Sequence, residues 1–258
     1  MIAARLAPSD SQLDSPLGRA SPLLKLCIAL AWLVGLAITL QPGPPLLLAA
    51  AAFAAGVTIG SIRPGVLLGA VAPLWIAAVG IGTFNALFSA SNGDPGAIEF
   101  AAIGPIRLTV EAVSHGVALA LRVVAIGCVG AVFALTTDPT RLADSLVQQA
   151  RVPERFAYGA LAAYGAIPRF GEDLATLRQA RRIRGLGGSW HPRLLLGLLV
   201  LAIRHGDRMA VSMDARAFGS GPRTRYREIR WQLPDLALGL GSAVILVAAL
   251  WLGWATRA

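Results

Sequence analysis

Hydrophobic residues along this chain gather into five blocks, each long enough to be considered as a membrane-spanning helix. The blocks cover residues 22–40, 46–62, 66–88, 112–135 and 233–254. A helix needs about 20 mainly apolar residues to cross the hydrocarbon of a bilayer, and the block at 46–62 lies at the short end of the workable range. Proline suits a first helical turn and cannot continue a helix, so Pro22 marks the start of the first block and Pro42 lies beyond its end. The pattern predicts an all-α integral membrane protein with about five transmembrane helices.

The stretch between the fourth and fifth blocks has a different pattern, in which apolar residues recur at helical spacing among charged ones. Thr137-Asp138-Pro139 is typical of a helix start, and Arg151-Val152-Pro153 is expected to end that helix. Three further helices are predicted over residues 154–165, 169–184 and 193–218. Ile167-Pro168 is expected to break the chain between the first two of them. These elements predict a cytosolic or interfacial layer of long helices.

Composition and charge extend this picture. Hydrophobic residues make up 55% of the 258 residues and charged residues 14%, which is far from the balance of an average soluble domain. Residues 137–232 contain 16 arginines and 8 acidic residues, and so supply +8 of the net charge of +9. Because basic residues favour the cytosolic side, we expect a multi-pass protein of the cell membrane with a cytosolic N-terminus. The predicted parts are a cytosolic tail at 1–20, a four-helix transmembrane part at 21–136, the basic segment at 137–232 and a last transmembrane helix at 233–258.

Two predicted helices of the basic segment carry an arginine at the C-terminal end, Arg184 in one and Arg216 in the last turn of the other. A cation at a helix C-terminus is favoured by about 0.3–1 kcal/mol through the helix dipole. This effect is enough to explain the position of either arginine when it is considered alone. Contact with anionic lipid is a second simple interpretation, and the lipid bilayer is an expected partner. Two matched arginine ends in one segment favour docking onto a protein, because the planar guanidinium suits carboxylates and backbone carbonyls in a groove.

At these residues the chain resembles the transmembrane T component of energy-coupling factor (ECF) transporters. The resemblance covers about 85 residues, and the order of its motifs makes it more specific than any one of them. In place of the family's two Ala-Arg-Gly signatures, the chain has Ile183-Arg184-Gly185 and Ala215-Arg216-Ala217. The motifs that carry the resemblance are Thr136-Thr137-Asp138-Pro139, Val152-Pro153, Ile167-Pro168 followed by Asp173-Leu174, Gln179 ahead of Arg184-Gly185, and Met213-Asp214-Ala215-Arg216.

The resemblance implies a coupling role without catalysis by this chain. In the family, the T component joins a small substrate-binding membrane subunit to two cytosolic ABC-type ATPases, whose ATP-driven closure is passed on to release a vitamin or metal ion inward. Because Arg184 and Arg216 occupy the arginine positions of the family's two signatures, the resemblance implies that they are the main ATPase contacts. Their expected flanking residues are Ile183, Gly185, Ala215 and Ala217, and the supporting residues are Pro139, Pro153, Pro168, Gln179 and Asp214.

Other functions are weighed against this one. The sequence contains no Gly-x-x-x-x-Gly-Lys-Ser/Thr loop, so we expect no ATP hydrolysis by this chain. No zinc-ligand spacing or stacking motif accompanies the basic residues, so nucleic acid is not an expected partner, and no cofactor or metal is predicted. The main alternative is a membrane-embedded lipid-modifying enzyme that uses the basic segment together with Asp207 and Asp214. A channel or scaffold is a third possibility.

Arg122 lies well inside the fourth apolar block, where a charge is costly and faces protein or water. One hypothesis is a polar contact with the substrate-binding subunit. The favoured hypothesis is an internal contact that fixes helix packing, with Asn85 as a possible neighbour.

Overall fold

The protein is almost entirely helical in its computed structural model, which describes residues 9–93, 96, 98–103, 106–186, 191–219, 221 and 227–255. Residues 1–8 of the predicted tail and 256–258 of the last predicted part lie outside the described residues. In chain order the α-helices are α1 Asp10–Leu13, α2 Pro16–Arg19, α3 Pro22–Ile38, α4 Gly43–Thr58, α5 Pro64–Leu87, α6 Val110–Thr136, α7 Pro139–Gln148, α8 Glu154–Ile183, α9 Pro192–Ala215 and α10 Leu233–Ala255.

The five apolar blocks all form helices, α3 to α6 and α10, which confirms the predicted fold class. The stretch Pro64–Gly93 and the helices α6 and α10 are long and apolar enough to cross a membrane. The helices α3 and α4 are also apolar but shorter, with 17 and 16 residues. Large apolar side chains such as Ile76, 80% exposed, and Val244, 68% exposed, face outward from these helices. Such a surface belongs in lipid, because a water-soluble domain rarely exposes contiguous apolar patches of this kind.

One hydrophobic core joins the five apolar helices. It contains Leu36 from α3, Leu48 from α4, Val71 from α5, Ala125 from α6 and Ala249 from α10, each at most 2% exposed. The described residues form two compact units, and this core lies in the first of them, within Met1–Leu142 and Arg230–Ala258. The second unit lies within Ala143–Ile229 and contains α8 and α9.

Glycine brings α5 and α6 into direct backbone contact. A Cβ atom added to Gly116 would lie 2.5 Å from the carbonyl oxygen of Gly82, and one added to Gly82 would lie 3.0 Å from the carbonyl oxygen of Gly116. Small residues at a crossing allow this approach, which is a common way for helices to associate in a membrane. The crossing therefore depends on the absence of side chains at both positions.

Polar contacts tie the helix ends together on one side of the first unit. The carboxylate of Asp235, at the start of α10, accepts hydrogen bonds from the backbone N–H groups of Ser21 and Gln232, at 2.9 and 3.0 Å. Arg141 donates to the carbonyl oxygens of Gly18 and Arg19, at 2.9 and 3.0 Å. The described part of the predicted tail is thus folded against the bundle, and Leu17 is 6% exposed.

A short antiparallel hairpin replaces much of the loop expected between the third and fourth blocks. Its strands are β1 Glu99–Ile103 and β2 Ile106–Thr109, and Asn92 accepts a 3.0 Å hydrogen bond from the Thr109 backbone N–H. The sequence did not predict these strands, because segments of four and five residues carry little periodicity.

The predicted break at Pro168 is wrong, since α8 runs without interruption from Glu154 to Ile183. Proline removes one backbone N–H donor and crowds the preceding turn, at a cost of about 3 kcal/mol in a helix interior. The helix has thirty residues in all, 14 before Pro168 and 15 after it. Its hydrogen bonds on both sides, together with packing along part of its length, offset that local cost. The packing is visible at Gly197 of α9, where an added Cβ would lie 3.3 Å from the Leu177 side chain.

Candidate docking site at two arginine-capped helix ends

The first arginine end, residues 183–186, closes α8 with a defined backbone motif. Arg184 is the C-cap residue, and Gly185 follows it with a φ of +69°. The Leu186 N–H donates to the Arg181 carbonyl at 3.1 Å, and the Gly185 N–H donates to the Arg182 carbonyl at 3.0 Å. This pair of hydrogen bonds is a Schellman motif, which satisfies the last carbonyls of a helix when the residue after the C-cap is left-handed.

The second arginine end, residues 215–218, closes α9 in the same way. Arg216 is the C-cap residue, and Ala217 follows with a φ of +54°. The Phe218 N–H donates to the Met213 carbonyl at 3.0 Å, and the Ala217 N–H donates to the Asp214 carbonyl at 2.9 Å. The two helices therefore end on an arginine in the same backbone geometry, although their sequences differ.

This shared geometry explains what the residue after each arginine has to do. It must take a left-handed conformation, because this turns the chain away from the helix axis and leaves the arginine as the C-cap residue. Glycine does this without strain, whereas alanine is disfavoured in that region by about 1–2 kcal/mol. Gly185 meets the requirement directly, and Ala217 meets it under strain.

Replacing Ala217 by glycine is expected to stabilise the protein by about 1 kcal/mol, because the left-handed backbone is relaxed. The measurement is the thermal unfolding midpoint of the detergent-solubilised protein. The matched control is Ala215→Gly, two residues earlier in the helical region, which is expected to destabilise by about 0.5–1 kcal/mol. A lower unfolding midpoint for Ala217→Gly than for the parent protein would contradict the strain assigned to Ala217.

Both arginine ends are open to the surroundings in their own unit. Arg184 and Arg216 are exposed, and Ile183 next to Arg184 is 88% exposed. Gln179 and Asp214 are also exposed and lie on the last turns of α8 and α9. Each end thus presents a guanidinium beside small or apolar groups, a combination suited to a groove that has acidic or carbonyl oxygens and an apolar wall.

The second arginine end is held by side chains that the sequence did not single out. The ring of Phe218 meets the ring of Tyr158 edge to face, with centroids 6.2 Å apart. The Tyr158 hydroxyl donates to the Asp144 carboxylate at 2.8 Å, which connects the contact to α7. Tyr158 is a polar aromatic residue among small residues of α8, and this contrast is the signal that could have drawn attention to it.

The predicted supporting prolines have three different positions. Pro139 is the first residue of α7, as its place after Thr137-Asp138 indicates. Pro153 is the N-cap residue of α8. Pro168 lies inside α8 and does not separate two helices.

The structure does not gather a metal site around Asp207 and Asp214. Both residues are exposed on α9, and seven residues along an α-helix correspond to a rise of about 10 Å. Metal–oxygen bonds of about 2.0–2.6 Å require ligands that converge far more closely. Within the described part of the chain, no group of three or more His, Cys, Asp or Glu residues is arranged to hold a metal ion.

Arg122 makes an internal contact. Its guanidinium donates a hydrogen bond to the carbonyl oxygen of Thr39 at the end of α3. The proposed neighbour Asn85 instead donates to the Ile81 carbonyl of its own helix, at 2.9 Å. Arg122 therefore joins α6 to α3, in line with the favoured hypothesis of a packing role.

Fold and site together define a membrane-embedded, all-α protein that carries a separate helical unit with two arginine-capped ends. Residues 14–226 match the sequence model of the family described as CbiQ, cobalt transport protein. The chain belongs to this family. It is the transmembrane T component of an energy-coupling factor transporter, and so a transport subunit.

The chain is similar to several proteins named "Energy-coupling factor transporter transmembrane protein EcfT". It is 28% identical over 252 residues to the one from Limosilactobacillus fermentum, a match covering 90% of this chain and 91% of that protein. It is 25% identical over 272 residues to the one from Lactococcus lactis subsp. cremoris, covering 98% and 97%. The match to the one from Listeria innocua, 26% identical over 168 residues, spans 63% of that protein.

One relative bears a different name. It is the "Putative ABC transporter ATP-binding protein BL0043" of Bifidobacterium longum, 26% identical over 206 residues. The match covers 73% of this chain and only 26% of that protein. A T-component-like sequence is therefore part of a longer polypeptide that is named for ATP binding.

Proposed function

We propose that this chain couples ATP hydrolysis by two ABC-type ATPases to the movement of a small substrate-binding membrane subunit, for uptake of a vitamin or transition-metal ion. The observation that carries the proposal is the pair of arginine ends with one backbone geometry. Two equivalent ATPases need two equivalent contacts, and Schellman-capped α8 and α9 offer such a pair.

In this proposal Arg184 and Arg216 enter grooves on the two ATPases. Ile183, Gly185, Ala215 and Ala217 line the contacts, while Gln179 and Asp214 support them on the preceding helical turns. The exposure of both arginine ends supports this assignment. The prolines at 139, 153 and 168 act indirectly, through the course of α7 and α8.

The relative from Bifidobacterium longum supports the proposal of ATPase partners. That protein is named for ATP binding, and about a quarter of its length is similar to this chain. Catalysis is assigned to those partners. The only lysine of this chain is Lys25, and it follows Leu24 rather than the glycine of a phosphate-binding loop. The excess of arginine in residues 137–232 supports a cytosolic position for the arginine ends and for the N-terminus.

Co-purification from native membranes in mild detergent tests this function. We expect the chain to carry with it an ABC ATPase pair and a small, very hydrophobic membrane protein, whose identity would then indicate the substrate. Recovery of the chain alone, under conditions that keep a known membrane complex intact, would contradict the coupling role. In that case metal-dependent turnover by the purified chain would support the lipid-modifying enzyme.

A further inference from the structure

The first unit contains an elongated apolar cavity of about 250 Å³ between α3, α4, α6 and α10. Its walls consist almost entirely of aliphatic and aromatic side chains, among them Trp32, Phe133 and Ile245. The five-helix core does not fill this space, and the most extensively packed helix pair, α5 with α6, lies outside it, since α5 contributes no lining residue. An apolar cavity of this kind is suited to an apolar ligand, because water would find few hydrogen-bond partners in it.

The cavity runs along the helices from the surface of the bundle toward its middle. On α3 its lining extends from Lys25 to Trp32, and on α10 from Ala237 to Ile245. Seven to eight residues of α-helix correspond to a length of about 10–12 Å. One end of the cavity lies where helix ends meet, since Lys25 is in the first turn of α3 and Thr136 is the last residue of α6. This end of the cavity therefore lies at the level of the helix ends, and the other end lies two to three turns inside the helices.

Among the residues that line this cavity, one is basic, and it lies at the end where the helix ends meet. Lys25 is the only lysine in a chain with 23 basic residues, and its side chain is 6% exposed. Its ammonium group donates a 2.7 Å hydrogen bond to the Thr136 carbonyl oxygen, the one acceptor found for it among the described residues. An ammonium has three N–H donors, so this bond leaves capacity for an anionic ligand.

The charges around Lys25 favour an anion. Arg141 and Asp235 are the charged groups that act on Lys25. The Asp235 carboxylate is already bound by two backbone N–H groups, and the Arg141 guanidinium is a second basic group that acts on this position. A charge-assisted hydrogen bond to a phosphate oxygen would satisfy Lys25 more completely than the Thr136 carbonyl alone.

We propose that this cavity binds one acyl chain of an anionic membrane phospholipid, with the phosphate of the headgroup at Lys25. The order of groups along the cavity matches that of a phospholipid in its leaflet: charge at the surface, then hydrocarbon. Burial of a methylene is favourable relative to water but contributes little relative to the bilayer, so the headgroup charge provides the selectivity. Ala237 and Gly241 are exposed lining residues, and through them the cavity reaches the outside of the bundle, where lipid can enter.

The test uses the assembled transporter, purified from membranes and exchanged into mixed micelles. The micelles contain equal amounts of phosphatidylglycerol and phosphatidylcholine with identical acyl chains. Native mass spectrometry then counts the lipids retained by the subunit. We expect phosphatidylglycerol to be enriched on the order of tenfold, the size of one charge-assisted hydrogen bond. Lys25→Met is expected to bring the two lipids to near equality.

A second variant keeps the test valid if Lys25→Met fails to fold. Gly241 is an exposed residue that lines the cavity, and a Cβ atom added to it has nothing within 4 Å, so Gly241→Phe places a ring at the cavity opening without displacing a neighbour and should lose both lipids. The matched control is Gly69→Phe in α5, where an added Cβ also meets nothing within 4 Å and the residue does not line the cavity. Because Lys25 is the only lysine of this chain, amine-reactive labelling mapped to the peptide that contains it gives a second readout, and phosphatidylglycerol should protect it.

Four outcomes would overturn the proposal. The first is equal retention of the two lipids by the parent protein, and the second is unchanged retention in Gly241→Phe. The third is retention of phosphatidylglycerol only after deletion of residues 1–8 and none by the parent protein, which would assign the cavity to the chain's own N-terminus. The fourth is lipid on the isolated chain but none on the assembled transporter, which would assign the cavity to a partner subunit. Each of these leaves the coupling function untouched.

Discussion

The double variant Arg184→Glu, Arg216→Glu is expected to lose ATP-driven uptake while the membrane part stays folded. Each substitution places a carboxylate where the proposed ATPase groove accepts a guanidinium. Truncating one partner of a buried, hydrogen-bonded charge pair costs about 2–5 kcal/mol, and reversal adds repulsion. Because about 1.4 kcal/mol is a factor of ten in affinity, each end should bind its ATPase at least about tenfold more weakly.

The measurement is substrate uptake into proteoliposomes together with recovery of the ATPase pair on the tagged chain. Matched controls are Arg178→Glu in α8 and Arg208→Glu in α9, which make the same charge change at exposed positions of the same helices. These controls should retain most of the uptake, since they lie one to two turns before the helix ends. Arg184→Lys and Arg216→Lys should fall between, because an ammonium keeps the charge but not the planar pair of donors.

Full ATP-coupled uptake by the double glutamate variant would sink the assignment of both arginines as ATPase contacts. Equal losses in the double variant and in the Arg178→Glu, Arg208→Glu pair would point instead to a general need for positive charge at the membrane surface. The single variants distinguish the two ends. The second arginine end is anchored through Phe218 and Tyr158, whereas the described contacts of the first end, after Arg184, are those of its own cap.

The second large effect is expected at the crossing of α5 and α6. Gly116→Leu should strongly destabilise the membrane part, because its first side-chain carbon would lie 2.5 Å from the Gly82 carbonyl oxygen and 3.0 Å from the Ala86 Cβ. The Gly82 carbonyl is part of the helix backbone and cannot rotate away from the new side chain, as the end of a long side chain could. The two helices must therefore separate to relieve the clash. Overpacking in a core costs about 1–3 kcal/mol, and a clash against backbone belongs at or above the upper end of that range.

Thermal unfolding in detergent and the yield of monodisperse protein measure this effect. Gly130→Leu is the matched control, since it lies on the same helix α6 and an added Cβ there meets nothing within 4 Å. Gly130→Leu should unfold at close to the parent temperature, while Gly116→Leu should unfold well below it. The same midpoint for both variants would show that α5 and α6 do not approach as closely as the structure places them.

Much of the fold follows from local pattern. The block predicted at 22–40 forms Pro22–Ile38, and the block predicted at 233–254 forms Leu233–Ala255, within a few residues at each end. Proline defines these boundaries because its ring fixes φ and removes a donor, and both effects act within one turn. The positions of Arg184 and Arg216 near helix ends were also predicted from local signals, the glycines that follow each helical run. The second helix was expected to continue to residue 218 but ends at Ala215, because Ala217 already takes the left-handed conformation.

Other features depended on packing that no local pattern contains. Pro168 has the chemistry of a helix breaker, yet α8 continues through it and packs on α9 beyond it, as at Leu177 and Gly197. The contact of Tyr158 with Phe218 joins residues sixty positions apart, and hydropathy gives no sign of it. The burial of Lys25 was likewise invisible, since a lone lysine near a membrane span is ordinarily taken as an interfacial anchor.

The sequence by itself determined that this is a helical membrane protein with a basic helical segment, because the length of apolar runs and the placement of arginine are properties read one residue at a time. The resemblance of its motifs also indicated the T component of an ECF transporter. Only the tertiary structure decided that both arginine helices end in one Schellman geometry, that α5 and α6 meet backbone to backbone, and that a cation closes an apolar cavity. The helix crossing and the cavity depend on distances between residues far apart in the chain, which are fixed when the helices pack. The second cap depends on a positive φ at Ala217, which an alanine side chain does not favour and its sequence therefore does not indicate.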